Sequence, residues 1–168
     1  MASNMYLKFE GPAIDGSSTT DNHKKEIEVL SWNHGFNQPT SPVRSNSGAG
    51  TVEQANHQNF SFSKYVDAAT DDLLKMCWTG KQIDKATLTC YRADGAEDNV
   101  AVDYLLVEMQ HIIVSNYSVS GGPGDIPVEN ISLDYGIVKY IYKPQMAVDG
   151  SAGDKVEIQH DLETRKVS

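Results

Sequence analysis

Apolar and polar residues alternate along most of this chain. Met5, Leu7 and Phe9 stand at every second position among polar neighbours, the period of a half-buried strand. Ile27, Val29 and the Leu30–Trp32 stretch continue the pattern, and Phe60 and Phe62 share one face within a strand signal from Thr51 to Val66. Asp84 to Ala93 carries Leu88 and Cys90 in alternation and runs into an Ala93-Asp94-Gly95 turn signal. Asn99 to Val119 is long and rich in Val, Ile, Leu and Tyr. In Pro127 to Tyr142, Ile131, Leu133 and Tyr135 keep one phase while Val138, Tyr140 and Tyr142 keep the other. Gly136 sits at the change and predicts a bulge. The tail from Ala147 is polar and Gly-rich, with one last strand around Val156–Ile158.

The period changes once. Between Thr70 and Gly80, Leu73, Leu74, Cys77 and Trp78 form an apolar stripe at helical spacing, which reads as core packing. Thr70 is expected as the N-cap, Asp71 and Asp72 suit the positive end of the helix dipole, and Gly80 ends the helix. Many strands with one short helix predict a mainly β fold, a barrel or a sandwich. The stretch from Pro39 to Gly50, PTSPVRSNSGAG, is rich in Pro, Ser and Gly. It predicts a long extended loop, and a loop of that length needs a functional reason.

Composition narrows the possible roles. The 168 residues suit one domain, read as 1–168 with a polar tail over 147–168. The net charge of −9 repels phosphate backbones, so nucleic acid and anionic membranes are poor partners. No run approaches the roughly 18 apolar residues of a membrane span. The start, MASNMYLKFEGPAIDG, lacks the basic and apolar regions of a signal peptide, so the chain is expected to be made in the cytoplasm. Cys77 and Cys90 form no CxxC pair and read as small apolar residues.

No motif for catalysis emerges. Histidines stand at 23, 34, 57, 111 and 160, none at metal-ligand spacing, and no cofactor or metal is expected. His111, within an apolar strand, reads as a structural or surface residue. The segment Ser120-Gly121-Gly122-Pro123-Gly124-Asp125 lacks the Lys-Ser/Thr of a phosphate loop and a strand follows it, so it reads as a hairpin connection. No G-x-S-x-G elbow is present.

The ordered segments resemble the hemolysin-coregulated protein (Hcp) family, the tube component of bacterial type VI secretion. The N-terminal stretch 6–32 is similar to the family's opening strand, turn and His-Lys-x-x-Ile-x-Val-Leu-x-Trp strand, through His23, Lys24, Ile27, Val29, Leu30 and Trp32. SWNHGFNQP (31–39) resembles the Ser-Trp-x-x-Gly segment. FSFSKYVDAATDDLLK resembles the Phe-x-Lys-x-x-Asp-x-x-Thr/Ser-x-x-Leu run, through Phe62, Lys64, Asp67, Thr70 and Leu73. HIIVSNYSVSGG (111–122) is similar to the following strand, and the closing strand matches through Glu129, Leu133, Tyr135, Val138 and Tyr142. HDLETRK (160–166) resembles the family's Trp-Asp-x-x-Thr-Asn-Lys end, with His160 in place of the Trp.

The resemblance implies a small β-barrel of two sheets flanked by one short α-helix. It implies a homo-hexameric ring that stacks into a tube inside a contractile sheath, behind a spike-tip trimer, and leaves the cell on contraction without a Sec signal peptide. The lumen would carry small effector proteins. An inter-subunit and stacking role is then expected for Pro39, Ser41, Pro42, Val43, Arg44 and Ser45, with Arg44 pairing with a carboxylate across an interface. A lumen-proximal position is expected for Ser120, Gly121, Gly122, Pro123, Gly124 and Asp125. No enzymatic activity is expected. The alternatives are a monomeric β-barrel binding a small ligand, with Tyr135, Tyr140 and Tyr142 at its pocket, and a small hydrolase using His111 or another histidine with a nearby serine.

Overall fold

A computed structural model describes residues 4–40, 54–93, 101–144 and 153–168. The alternating segments form β1 (Met5–Glu10), β2 (Ile27–Glu28), β3 (Ser31–Asn33), β4 (Phe36–Asn37), β5 (Asn56–His57) and β6 (Phe60–Tyr65). The helix α1 (Thr70–Thr79) follows, and then β7 (Ile83–Ala93), β8 (Ala101–Ser120), β9 (Val128–Asp134), β10 (Ile137–Tyr142), β11 (Val156–Asp161) and β12 (Lys166–Val167). The fold is mainly β with one short helix, as the hydropathy pattern predicts.

All ladders between these strands are antiparallel, and they make two main sheets. The first runs β12-β11-β10-β8-β7-β1-β2, and the second runs β3-β6-β9-β8. The 20-residue β8 belongs to both. Its bend falls at His111, whose φ is 56°, a left-handed conformation costly for a side chain with a Cβ. Opposite the bend, Tyr135 and Gly136 drop out of the ladders, and the Gly136 N–H donates to the Gln110 carbonyl at 3.0 Å. The phase change at Gly136 is therefore a corner between two strands in different sheets, not a bulge inside one strand. Register shifts do occur in β8, between Val114 and Asn116 against β9 and opposite Cys90/Tyr91 of β7.

The chain makes the other corner as well. Val29 N–H donates to Met5 of the first sheet at 3.0 Å, and Leu30 N–H donates to Ser63 of the second at 2.8 Å. The sheets meet through continuous chain at these corners. Among the described residues no uninterrupted ladder closes the barrel, and β10, β11 and β12 extend beyond it as a wing.

Inward rows from both sheets fill the space between. Leu7, Ile27, Phe60, Leu88, Val107, Met109, Ile112 and Leu133 are fully buried. Each buried side chain of that size contributes about 1.5–3 kcal/mol. Trp32 stacks on Phe60 at 5.6 Å. Helix α1 lies against β8.

Two expectations for the helix are corrected. Thr70 is the first helical residue and Ala69 occupies the N-cap without a side-chain bond. Asp67 organises the entry, its carboxylate accepting from the Ala69 N–H at 2.9 Å, while the Thr70 hydroxyl accepts from the Asp67 N–H at 3.2 Å. The buried stripe is Ala69, Leu73 and Met76, with Leu74 and Cys77 half-buried and Trp78 79% exposed. At 100° per residue Trp78 lies about 140° around the helix from Leu73, too far to share its face. Gly80 ends the helix at φ 65°, its N–H bonded to the Met76 carbonyl at 3.0 Å.

Candidate functional site

The segment predicted to join subunits follows β4 of a short ribbon in the sequence. β4 pairs with β5 through Phe36↔His57 and Asn37↔Asn56, and residues 38–55 connect them. Pro39 is half-buried just beyond β4. Ser41, Pro42, Val43, Arg44 and Ser45 lie outside the described residues. The ribbon rests on the wing. There Phe36, His57, Val138, Tyr140, Ile158, His160 and Val167 line a groove of about 320 Å³.

The wing carries an apolar face into solvent. Tyr142 stands opposite Val156, Tyr140 opposite Ile158 and His160 opposite Val167. The same face of β10 continues onto β8 as Leu105, Val107 and Met109, and there Val107 and Met109 are core residues. Outward along the wing cover is lost: Val156 is 65% exposed, Ile158 56% and Val167 59%.

Three of the five histidines meet where ribbon and wing touch. His34 Nδ1 is hydrogen-bonded to the Tyr140 hydroxyl, and His34 Nε2 lies 2.6 Å from the Tyr135 hydroxyl. That hydroxyl lies 2.7 Å from His57 Nδ1, and His57 Nε2 lies 2.7 Å from His160 Nδ1. Burial, then the neighbouring His57, brings the His34 pKa down to about 4, against an opposing backbone bond at Gln58. Burial and then His160 lower that of His57. Burial pushes the Tyr140 hydroxyl up to about 12 and raises Tyr135. Chain spacing hid this cluster, because its bonds join residues from 78 to 106 positions apart. His111 stays apart from it, on the surface, bonded to Glu163 at 2.9 Å.

A buried ion pair stabilises the second sheet. Lys64 and Glu129 are cross-strand partners on the inward face, and both are fully buried. Lys64 Nζ donates to Asp67 Oδ1 at 2.7 Å and to the Tyr65 carbonyl at 3.0 Å, and stands 2.5 Å from Glu129 Oε2. The Tyr117 hydroxyl donates to the other Glu129 oxygen. Every charge in this network meets an opposite charge or a donor.

The outer face of the second sheet is mostly hydroxyl and amide, and Asp134 at the end of β9 puts a carboxylate on it. Ser31 and Ser63 are hydrogen-bonded through their hydroxyls at 2.5 Å, as are Ser61 and Ser132 at 3.0 Å. Asn33 and Asn130 complete a shallow depression with them. The β9 side of this face pairs with β8 up to Ser118 and Ser120, so it leads to the predicted lumen-proximal loop. Ser120, Gly121, Gly122, Pro123, Gly124 and Asp125 are all exposed, with the Asp125 N–H donating to the Gly122 carbonyl at 3.4 Å. The three tyrosines named for a ligand pocket do not share one. Tyr135 and Tyr140 bond histidines, while Tyr142 is 47% exposed.

The family model described as "Type VI secretion system effector, Hcp" matches residues 6–142. Protein hcp1 of Pseudomonas aeruginosa is 34% identical over 158 residues, which are 94% of this chain and 93% of that protein. A solved structure of a type six secretion system protein superposes with a TM-score of 0.87 at 29% identity, covering 99% of this chain and 100% of the other. Hcp1 from Salmonella typhimurium gives 0.78 at 31% identity, covering 100% of both chains. Matched along most of its length in both sequence and fold, the chain belongs to the Hcp family of type VI secretion tube proteins.

Proposed function

We propose that six copies of this chain close into a ring, that rings stack into the secretion tube within the contractile sheath and behind the spike tip, and that the ring carries small effector proteins out of the cell. The uncovered wing carries this reading. Val156, Ile158 and Val167 continue the core-facing side of the first sheet into solvent, and an apolar face of that kind marks a protein–protein contact. A head-to-tail neighbour covers it in every copy once the ring closes. The β4–β5 ribbon rests beside this face, so Pro39, Ser41, Pro42, Val43, Arg44 and Ser45 are the proposed inter-subunit and stacking segment. Arg44 there meets a carboxylate of the neighbouring copy.

The hydroxyl and amide face of the second sheet, leading to Ser120–Asp125, is the proposed lumen wall. A wall made mostly of hydroxyls and amides, with Asp134 and Asp125 as its carboxylates, imposes little like-charge penalty on most effectors. The role is structural, with no catalytic step assigned to any residue.

Light scattering coupled to size exclusion should give the mass of six chains of 18.5 kDa each, and negative-stain microscopy should show rings with a central hole. A strict monomer at high concentration would sink the proposal. Six copies at −9 each place −54 on a ring, so rings repel one another at low ionic strength. Tube formation should strengthen as salt rises from about 0.1 M to about 1 M and the screening length falls from about 10 Å to about 3 Å. Stacking that is indifferent to salt, or that weakens as salt rises, would count against net repulsion between ring faces.

A further inference from the structure

The linkage Tyr140–His34–Tyr135–His57–His160 joins three separate strands, the β3–β4 connection and the β9–β10 corner through four consecutive hydrogen bonds. Neither the proposed ring nor the proposed lumen uses it. In the neutral state each link needs one hydrogen. The five groups supply that in either direction, since each hydroxyl and each neutral imidazole donates once and accepts once. One added proton is also accommodated: the histidine that takes it donates both ways, and the links on one side reverse. A second added proton has no place. It sets two N–H groups against each other between His57 and His160, or it leaves the buried Tyr135 hydroxyl accepting from both sides with its own hydrogen unbonded.

We propose that this relay is an acid-sensitive clasp, holding the β4–β5 ribbon on the wing and releasing it when a second proton enters.

The surroundings favour release. Facing the three histidines are Tyr135 from the β9–β10 corner and Tyr140 from β10, with Phe36 and Phe60 against the rings. Val138, Ile158 and Val167 line the adjoining groove. Among the described residues no carboxylate pairs with His34, His57 or His160. Asp134 raises the Tyr135 hydroxyl, and Asp161 turns to the backbone amides of Glu163 and Thr164 instead. An imidazolium formed here therefore gains no counter-ion, while in the released ribbon it reaches water. The lowered His34 and His57 values give the direction. The closed form binds fewer protons, so its advantage is complete above the ordinary histidine range and shrinks as pH falls below about 6.5.

The clasp lies within one chain and is read whether or not rings form; only its effect on neighbouring subunits rests on the proposed ring. Amide hydrogen exchange on the full chain, corrected for intrinsic rates, tests it. Between about pH 7.5 and about pH 5, protection in β4 and β5 should fall about tenfold more than in β7, reversibly. His34→Phe with His57→Phe should abolish that pH dependence, and His111→Ala should leave it intact. If the double variant does not fold, histidine-ring NMR of the unaltered protein decides. The clasp requires His34 and His57 to titrate together with ribbon opening. Unchanged β4–β5 protection, a loss that persists in the double variant, or rings that titrate while the ribbon stays protected would overturn it. Light scattering of the same sample separates failure of the clasp from failure of the ring.

Discussion

Replacing Lys64 with alanine should cost the fold about 3–5 kcal/mol, because it strands a buried carboxylate. Glu129 is fully enclosed and faces Lys64 at 2.5 Å. With the ammonium gone, Glu129 keeps only the Tyr117 hydroxyl, and Asp67 loses the partner that helps fix the entry to α1. A domain of this kind has about 5–15 kcal/mol in total, so the loss is a large share of what it has. Chemical denaturation of the purified variant measures it. Lys64→Met combined with Glu129→Met should be milder than Lys64→Ala alone, since removing both charges leaves no orphan. A Lys64→Ala variant within about 1 kcal/mol of the unaltered protein would show that the pair is solvated after all.

The same residues show what could be read from sequence and why. The resemblance included Lys64, Asp67, Thr70 and Leu73 at fixed spacing in one segment and Glu129 in another, as disconnected letters. The structure gives the spacing a cause. Lys64 reaches Asp67, Asp67 accepts the Ala69 amide, Thr70 accepts the Asp67 amide, and Leu73 is the first buried turn of the helix. Glu129 closes the set from across the sheet.

Strands were legible because alternation needs only neighbours: Leu7 and Phe9, or Phe60 and Phe62, face inward as their period requires. The Gly136 phase change was legible as an irregularity but not as a corner, since its partner at His111 lies in another strand. The helix is legible in extent, but the apolar spacing alone puts Trp78 on the buried face, where the structure leaves it 79% exposed.

The candidate site was much less legible. β4 and β5 are two residues each, too short for any period to register. The histidine relay has no local signature, because His34, His57 and His160 come together only after three separate strand pairings are made. A polar contact between distant strands is set by topology, and topology is not periodic. The apolar wing was half visible: Val156 and Ile158 alternate as a strand should, but alternation does not say whether the apolar side meets a core or a neighbour.

That wing supports the second large effect. Ile158→Asp should convert rings to monomers while leaving each monomer folded. Ile158 is 56% exposed in the single chain, so an aspartate there keeps much of its hydration and the monomer loses little. In a closed ring the same position would be covered by the neighbour. Burying a carboxylate without a counter-ion costs several kcal/mol at each contact, and a ring repeats that contact in every copy. The groove beside Ile158 brings no lysine or arginine to relieve it, since its other walls are Phe36, His57, Val138, Tyr140, Gln159, His160 and Val167. Light scattering should report one chain of 18.5 kDa at concentrations where the unaltered protein forms rings, with unchanged circular dichroism and an unfolding midpoint close to that of the parent. Val167→Asp, 59% exposed on the adjacent strand, should behave alike. Intact rings in both variants would move the subunit contact off this face, leaving the exposed side of the wing without a role in assembly.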